Sequence, residues 1–171
     1  MTSTSDLLVD GFGRVHDAVH GVMDGLVPGA LTFRPDDRAN PIGWLVWHLT
    51  RVQDDHVADV AGTEQRWTAE DWVDRFALPF ERLETGYGQD PSRAGLVAVD
   101  PSLLLGYHDA VYDATLAYVR GLGDSDLDRV VDTRWTPPVT LGVRLVSVIT
   151  DDLEHAGQAA YVRGMFERAD R

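Results

Sequence analysis

The sequence predicts an all-α fold, an up-and-down four-helix bundle with one long crossover loop. Three observations lead there. Apolar residues recur at helical spacing through four long segments. Proline and glycine punctuate those segments at their ends. Alternating strand patterns are weak; the best, Gly95-Leu96-Val97-Ala98-Val99, is short and isolated. With 171 residues the chain fits one domain, 1–171, with a substantial core.

The first helix is predicted from about Ser5 to Leu26, with Leu8, Phe12, Val15, Val19, Met23 and Leu26 on its apolar side. Pro28-Gly29 ends it. Asn40-Pro41 opens the second, as cap plus proline at the first helical position, and it runs to about Ala61-Gly62. Trp44, His48, Val52, Asp55 and Asp59 share one side of it. Thr68-Ala69-Glu70-Asp71 reads as a capping box for a short helix through Phe76. Residues 79–100, rich in glycine, proline and polar side chains, form the crossover loop, and loops of that length are often functional. Asp100-Pro101 restarts a helix to about Leu122, with Leu104, Tyr107, Val111, Leu116 and Tyr118 as its core. A short helical piece from Ser125 to Val131 and a loop at Trp135-Thr136-Pro137-Pro138 follow. Thr140 then caps the last long helix, which ends near Arg168.

Composition excludes several classes of function. The formal net charge is -13, which argues against nucleic acid and anionic membrane surfaces as partners. No apolar run approaches the roughly 18 residues that span a bilayer, and Met1-Thr2-Ser3-Thr4-Ser5-Asp6 has no basic region leading an apolar stretch. A cytoplasmic location is the expectation. All 15 basic residues are arginine, which suggests a GC-rich coding bias. Cysteine is absent, so disulfides and zinc–thiolate sites are excluded. Any sulfur chemistry must use the thiol of a small molecule.

The most informative stretch is Thr150-Asp151-Asp152-Leu153-Glu154-His155. Asp151 and His155 stand one turn apart, within about 40° of each other on the helix. Their face carries Leu141, Val148, Ala159, Val162 and Phe166, so it should be buried. A carboxylate and an imidazole entering a core are costly unless something satisfies them. A divalent cation would do so. Asp152 lies about 60° from His155 on the other side and also reaches inward. Glu154 falls on the solvated side. His48, between Trp44 and Val52 on the second helix, supplies a third ligand. His48, Asp151 and His155 leave a fourth position open, as a catalytic zinc site does. Asp55, two turns beyond His48, is a candidate second partner or proton acceptor. The direct competitor is a buried Asp–His hydrogen bond with no metal.

Other constellations weigh less. His16 and His20 form an i, i+4 pair at the edge of the first helix's apolar stripe, where a solvated or boundary role is expected. Asp152-x-x-His155 resembles half of a di-iron motif, but no second copy exists. Nucleophile-elbow, P-loop and dinucleotide-binding motifs are absent.

Longer stretches carry a family resemblance. They are Pro41-Ile42-Gly43-Trp44-Leu45-Val46-Trp47-His48-Leu49, Gly86-Tyr87-Gly88, Leu104-Leu105-Gly106-Tyr107-His108, and His155-Ala156-Gly157-Gln158-Ala159-Ala160-Tyr161-Val162-Arg163-Gly164. From Pro41 to Gly164 the chain resembles the DinB-like superfamily, and within it the actinobacterial branch of mycothiol-dependent maleylpyruvate isomerase-like proteins. The resemblance implies a four-helix bundle with a metal, zinc or nickel, held by one histidine on the second helix and an i, i+4 pair on the last. Carried over, the ligands are His48, Asp151 and His155. Many members have histidine at all three places, and the isomerase-like branch has a carboxylate at the first position of the pair. Aspartate is the shorter carboxylate, so a longer metal distance or a bridging water is expected. The resemblance also implies thiol transfer or thiol-assisted isomerisation, with mycothiol, bacillithiol or glutathione as cofactor.

Three functions therefore stand at this stage. The leading one is a metal-dependent enzyme that presents a low-molecular-weight thiol to an electrophilic substrate, with Tyr87, Tyr107 and Arg163 as candidates to orient that substrate. The second is a non-catalytic binding bundle with structural or absent metal, in which Trp44, Trp47 and the apolar helix faces leave room for a homodimer interface. The third is a hydrolase using the same metal.

Overall fold

The computed structural model describes residues 3–169. Ser3 opens helix α1 (Thr4–Met23) with a reciprocal pair of bonds. Its hydroxyl accepts from the Asp6 amide at 3.1 Å, and the Asp6 carboxylate accepts from the Ser3 amide at 2.8 Å. Both amides belong to the set that a helix start leaves without intrahelical partners. The helix stops at Met23 rather than Leu26, where Asp24 turns extended and Gly25 follows at φ +63°. A single turn, α2 (Pro28–Leu31), leads toward α3 (Ile42–Ala61). Pro41 is itself the cap of α3, one position later than the sequence suggests, and Gly62 ends the helix at φ +69°.

The capping box expected at Thr68–Asp71 does not form. Two short helices, α4 (Arg66–Ala69) and α5 (Trp72–Phe76), meet at Asp71, which takes φ 57°. The first amides of α4 are satisfied from a distance instead. Asp54 of α3 accepts from the Arg66 and Trp67 amides, each at 2.8 Å. The long loop holds one further turn, α6 (Pro91–Ala94), and Gly95–Val99 forms no strand. Asp100 caps α7 (Pro101–Val119) by accepting from the Ser102 amide at 2.8 Å, and α7 ends three residues before Leu122. Instead of a helical piece over 125–131 there is a 3₁₀ turn, Asp124–Asp128, and then β1 (Val130–Asp132). This strand pairs antiparallel with β2 (Val139–Thr140). The Thr140 hydroxyl then accepts from the Val143 amide at 3.4 Å at the start of α8 (Leu141–Ala169).

The fold is mostly helical, with this one small two-stranded sheet among the described residues. Helix α1 packs on α7 and α8, and α3 packs on the same two. The long helices that follow one another in the chain, α1 with α3 and α7 with α8, are thus not side by side as a simple up-and-down order would have them. The segment 24–41 and the stretch with the hairpin carry the chain across, while the 62–100 segment joins α3 to its neighbour α7. No described helix is long and apolar enough to cross a membrane.

The core corrects two expectations. Trp44 and Trp47 are 6% and 0% exposed, so these two rings fill the interior and offer no dimer surface. Tyr107 is also fully buried, in a polar network rather than a binding site. Its hydroxyl donates to Asp54 Oδ2 at 2.8 Å and accepts from Arg51 Nη1 at 3.1 Å. Arg163 is structural too. From α8 its Nη1 donates to the carbonyls of Val22 and Asp24 at 2.8 and 2.7 Å, covering the carbonyl-rich end of α1.

Candidate metal centre

Helices α3 and α8 bring His48, Asp151 and His155 together. One ligand-type atom from each lies within 4.8 Å of the other two. His155 Nε2 is 3.8 Å from Asp151 Oδ1, and the two imidazole rings meet edge to face at 4.8 Å between centroids. Bonds of about 2.1 Å in a tetrahedral zinc site place ligand atoms roughly 3.4 Å apart. From 3.8 Å, and from no more than 4.8 Å, the three groups therefore need to close by about 0.4 to 1.4 Å to grip one ion.

Both histidines are set up as ligands. His48 Nδ1 is 2.6 Å from the Thr85 carbonyl, which can only accept, so Nδ1 carries the proton and Nε2 keeps its lone pair. His155 Nδ1 donates to Gln158 Oε1 at 3.1 Å, with the same consequence. A second partner on the far nitrogen fixes tautomer and ring orientation, as around metal-ligating histidines generally. Burial lowers the His48 pKa from its ordinary value and favours the neutral form a metal requires. Its ring is stacked on Trp44 at 4.5 Å. Asp151 Oδ2 is buried with no hydrogen-bond partner among the described residues, an acceptor waiting for a cation.

Adjacent Asp152 is the carboxylate that faces the core. It is 0% exposed, and neither oxygen has a partner among the described residues. Burial, and then the neighbouring Asp151, push its carboxyl well above the usual range. Asp151 and His155 instead line the edge of the bundle interior, both of intermediate exposure, so their face is less buried than its apolar neighbours imply.

A cavity of about 700 Å³ opens beside the cluster. His48 and Asp151 face it, together with Asp55, His56, Arg144 and Trp135. Asp55 is held by Gln65 Nε2, which donates to Oδ1 at 2.7 Å. Arg144 Nη1 lies 3.1 Å from His56 Nδ1, and its Nη2 donates to Asp132 Oδ2 at 3.1 Å. Asp132 is also gripped by Arg134, whose hydrogen bonds hold that carboxyl far below the ordinary range. Tyr87, 93% exposed, stands on the rim. His56, Asp132, Arg144 and Trp135 are absent from the sequence-based candidates. Their partnerships cross 12 to 88 positions, a separation no local pattern records.

The loop over His48 depends on Gly86. At φ +92° it lies so close that a Cβ there would stand 3.0 Å from His48 Nδ1 and 2.9 Å from Trp47 Cζ3. Glycine alone tolerates both that backbone and that approach.

The remaining histidine pair is not simply solvated. His16 and His20 converge on Asp109 of α7, and the three form a second group with ligand atoms within 4.8 Å of one another.

Comparisons with known proteins bear on the fold and the family. The family model for the DinB superfamily matches residues 12–159. The solved structure of a conserved protein from Enterococcus faecalis superposes with a TM-score of 0.86 at 30% sequence identity, over 95% of this chain and 96% of that one. No curated protein matches the sequence.

Proposed function

The chain belongs to the DinB superfamily, whose members are generally metal-binding, and we propose that it is a metal-dependent enzyme that activates a low-molecular-weight thiol. The observation that carries the reading is the convergence of His48, Asp151 and His155, the first two of which face a cavity large enough for a small molecule. Pockets of about 300–1,000 Å³ hold such ligands. The bundle of four long helices is the scaffold, with zinc or nickel as the ion that two imidazoles and one carboxylate suit.

When bound, the metal supplies Lewis acidity, which lowers the pKa of a coordinating thiol toward neutrality. The chain's own groups do the rest. Thr85 and Gln158 keep the Nε2 lone pairs of His48 and His155 aimed at the ion. Asp55, on the same cavity wall, accepts the thiol proton. Trp135 and Tyr87 at the mouth shelter the electrophile from water. For a conjugated carbonyl substrate, the sulfur lone pair forms the new C–S bond and the alkene electrons shift onto the carbonyl oxygen. The proton then returns from Asp55 to the α-carbon, and the product is the thioether. If rotation about the former double bond occurs before the α-carbon is protonated, the electrons on the carbonyl oxygen return to re-form the alkene, the C–S bond breaks, Asp55 gives its proton back to the sulfur, and the result is a cis–trans isomerisation. Mycothiol-type cofactors fit a chain that has no cysteine of its own. A cytoplasmic location goes with that chemistry, because reducing compartments keep small thiols reduced.

The test is thiol conjugation to an activated alkene by protein reconstituted with zinc or nickel, beside His155→Ala treated identically, with bound metal measured in both. Loss of rate together with loss of metal is expected in the variant. Equal rates would overturn the proposal. A metal-loaded protein that hydrolyses esters but conjugates no thiol would turn the reading to a hydrolase.

A further inference from the structure

We propose that this protein carries a second transition-metal site, separate from the α3–α8 centre, built by His16 and His20 of α1 and Asp109 of α7. It does not rest on the thiol reading. The two histidines are one helical turn apart, so their rings project from the same side of α1. His16 Nε2 is 3.1 Å and His20 Nε2 is 2.7 Å from the same atom, Asp109 Oδ1. Two imidazole nitrogens and a carboxylate oxygen thus converge on one point from two helices. Spacings near 3 Å are those of ligand atoms around a six-coordinate ion with bonds of about 2.1 Å.

The rings are held in place. His16 stacks on Tyr112 with centroids 4.2 Å apart, and His20 lies 4.3 Å from His16. Asp109 is the adjustable member: its side chain is 46% exposed, so it can swing outward to admit an ion between itself and the two nitrogens. All three residues are of intermediate exposure, which leaves the remaining coordination positions to water. Imidazole pairs select zinc, nickel and copper over magnesium and calcium. The protein's net charge of -13 adds a general attraction for cations.

Binding replaces the two N–H···O contacts with metal bonds. Each imidazole moves its proton from Nε2 to Nδ1 and presents the Nε2 lone pair to the ion. The ion would tie α1 to α7, two helices already packed together. A ligand that binds only the folded state raises its stability. At a free ion concentration a hundred times Kd, the expected gain in Tm for a chain of this length is roughly 5–10 °C.

The test is titration of metal-free full-length protein with nickel, followed by calorimetry, by elemental stoichiometry after desalting and by Tm. Wild type should take two equivalents. His16→Ala/His20→Ala should take one and lose part of the thermal gain. His48→Ala/His155→Ala should also take one, and its Tm should still rise with nickel. Two equivalents in His16→Ala/His20→Ala would overturn the second site, as would no binding in a folded His48→Ala/His155→Ala protein. A single equivalent in wild type that disappears with His16 and His20 would support this site and sink the α3–α8 metal centre.

Discussion

Replacing Gly86 with alanine tests whether the loop over His48 is what keeps that imidazole in position to bind. The added methyl would stand 2.9 Å from Trp47 Cζ3, and 3.0 Å from both Trp44 Cζ2 and His48 Nδ1. Carbon atoms prefer about 3.5–4.0 Å, so the overlap exceeds half an ångström against three side chains at once. Trp47 and Trp44 are core residues and cannot rotate away. Overpacking of this kind costs about 1–3 kcal/mol. The φ of +92° adds about 1–2 kcal/mol for any residue with a Cβ. A total near 3 kcal/mol lowers Tm by roughly 6–12 °C for a chain of this size. The cheapest relief is for the loop to lift, which lengthens the 2.6 Å contact from His48 Nδ1 to the Thr85 carbonyl. Loss of such an orienting partner weakens metal affinity about 10–100-fold. Urea unfolding and a competition titration with a metal chelator measure the two effects. An unchanged urea midpoint would refute the packing argument. A lowered midpoint with unchanged metal affinity would refute the claim that Thr85 orients the ligand.

Two further outcomes follow from groups outside the cluster. Tyr107→Phe removes the hydroxyl that bridges Asp54 and Arg51, leaving buried partners unpaired; urea unfolding should show a loss of about 1–3 kcal/mol while metal stoichiometry stays at the wild-type value. Asp132 has a folded pKa depressed chiefly by the Arg134 hydrogen bonds, so its contribution to stability is present above the unfolded value near 3.9 and is lost as pH falls below it. Asp132→Asn should therefore flatten the acid limb of a Tm-against-pH profile below about pH 4, and an unaltered acid limb would count against the pairing.

The four long helices were legible because each announces itself twice, by an apolar stripe and by end signals. Phe12, Val15 and Val19 of α1, and Leu104, Tyr107 and Val111 of α7, are buried as their spacing predicts. The three members of the α3–α8 cluster were legible for the same reason: each is a polar residue on or beside an apolar stripe. What escaped detection was set by tertiary contact. Thr68–Asp71 has the composition of a capping box, yet Asp54, a carboxylate on another helix, accepts from the Arg66 and Trp67 amides and starts the helix two residues earlier, which leaves Thr68 inside α4 and the Glu70 and Asp71 amides bonded to the Arg66 and Thr68 carbonyls. The β1–β2 pair is three residues against two, too short for alternation to show. Arg144 finds His56 and Asp132 only because the hairpin folds back beside α3 and α8. The order in which the long helices pack is a property of connections whose paths the residue pattern does not encode.

The two neighbouring aspartates of α8 show how one turn of helix separates a site from a core. Leu141, Leu145, Val148, Asp152, Ala156, Ala159 and Val162 form one unbroken buried stripe at three- and four-residue spacing. Asp152 occupies a position in that stripe where its neighbours are apolar, with no partner for either oxygen among the described residues. Asp151, about 100° away around the helix, shares the adjacent stripe with His155 and meets His48 from α3. Only a residue on the second stripe can reach the cavity while its backbone remains in a packed helix. A carboxylate there has solvent and an ion within reach, whereas one on the first stripe has neither, and burying it is costly. The burial of Asp152 therefore argues for Asp151 as the ligand more strongly than the i, i+4 spacing does, because Asp152 lies outside the cluster and cannot replace it without rotating the whole of α8 against its core.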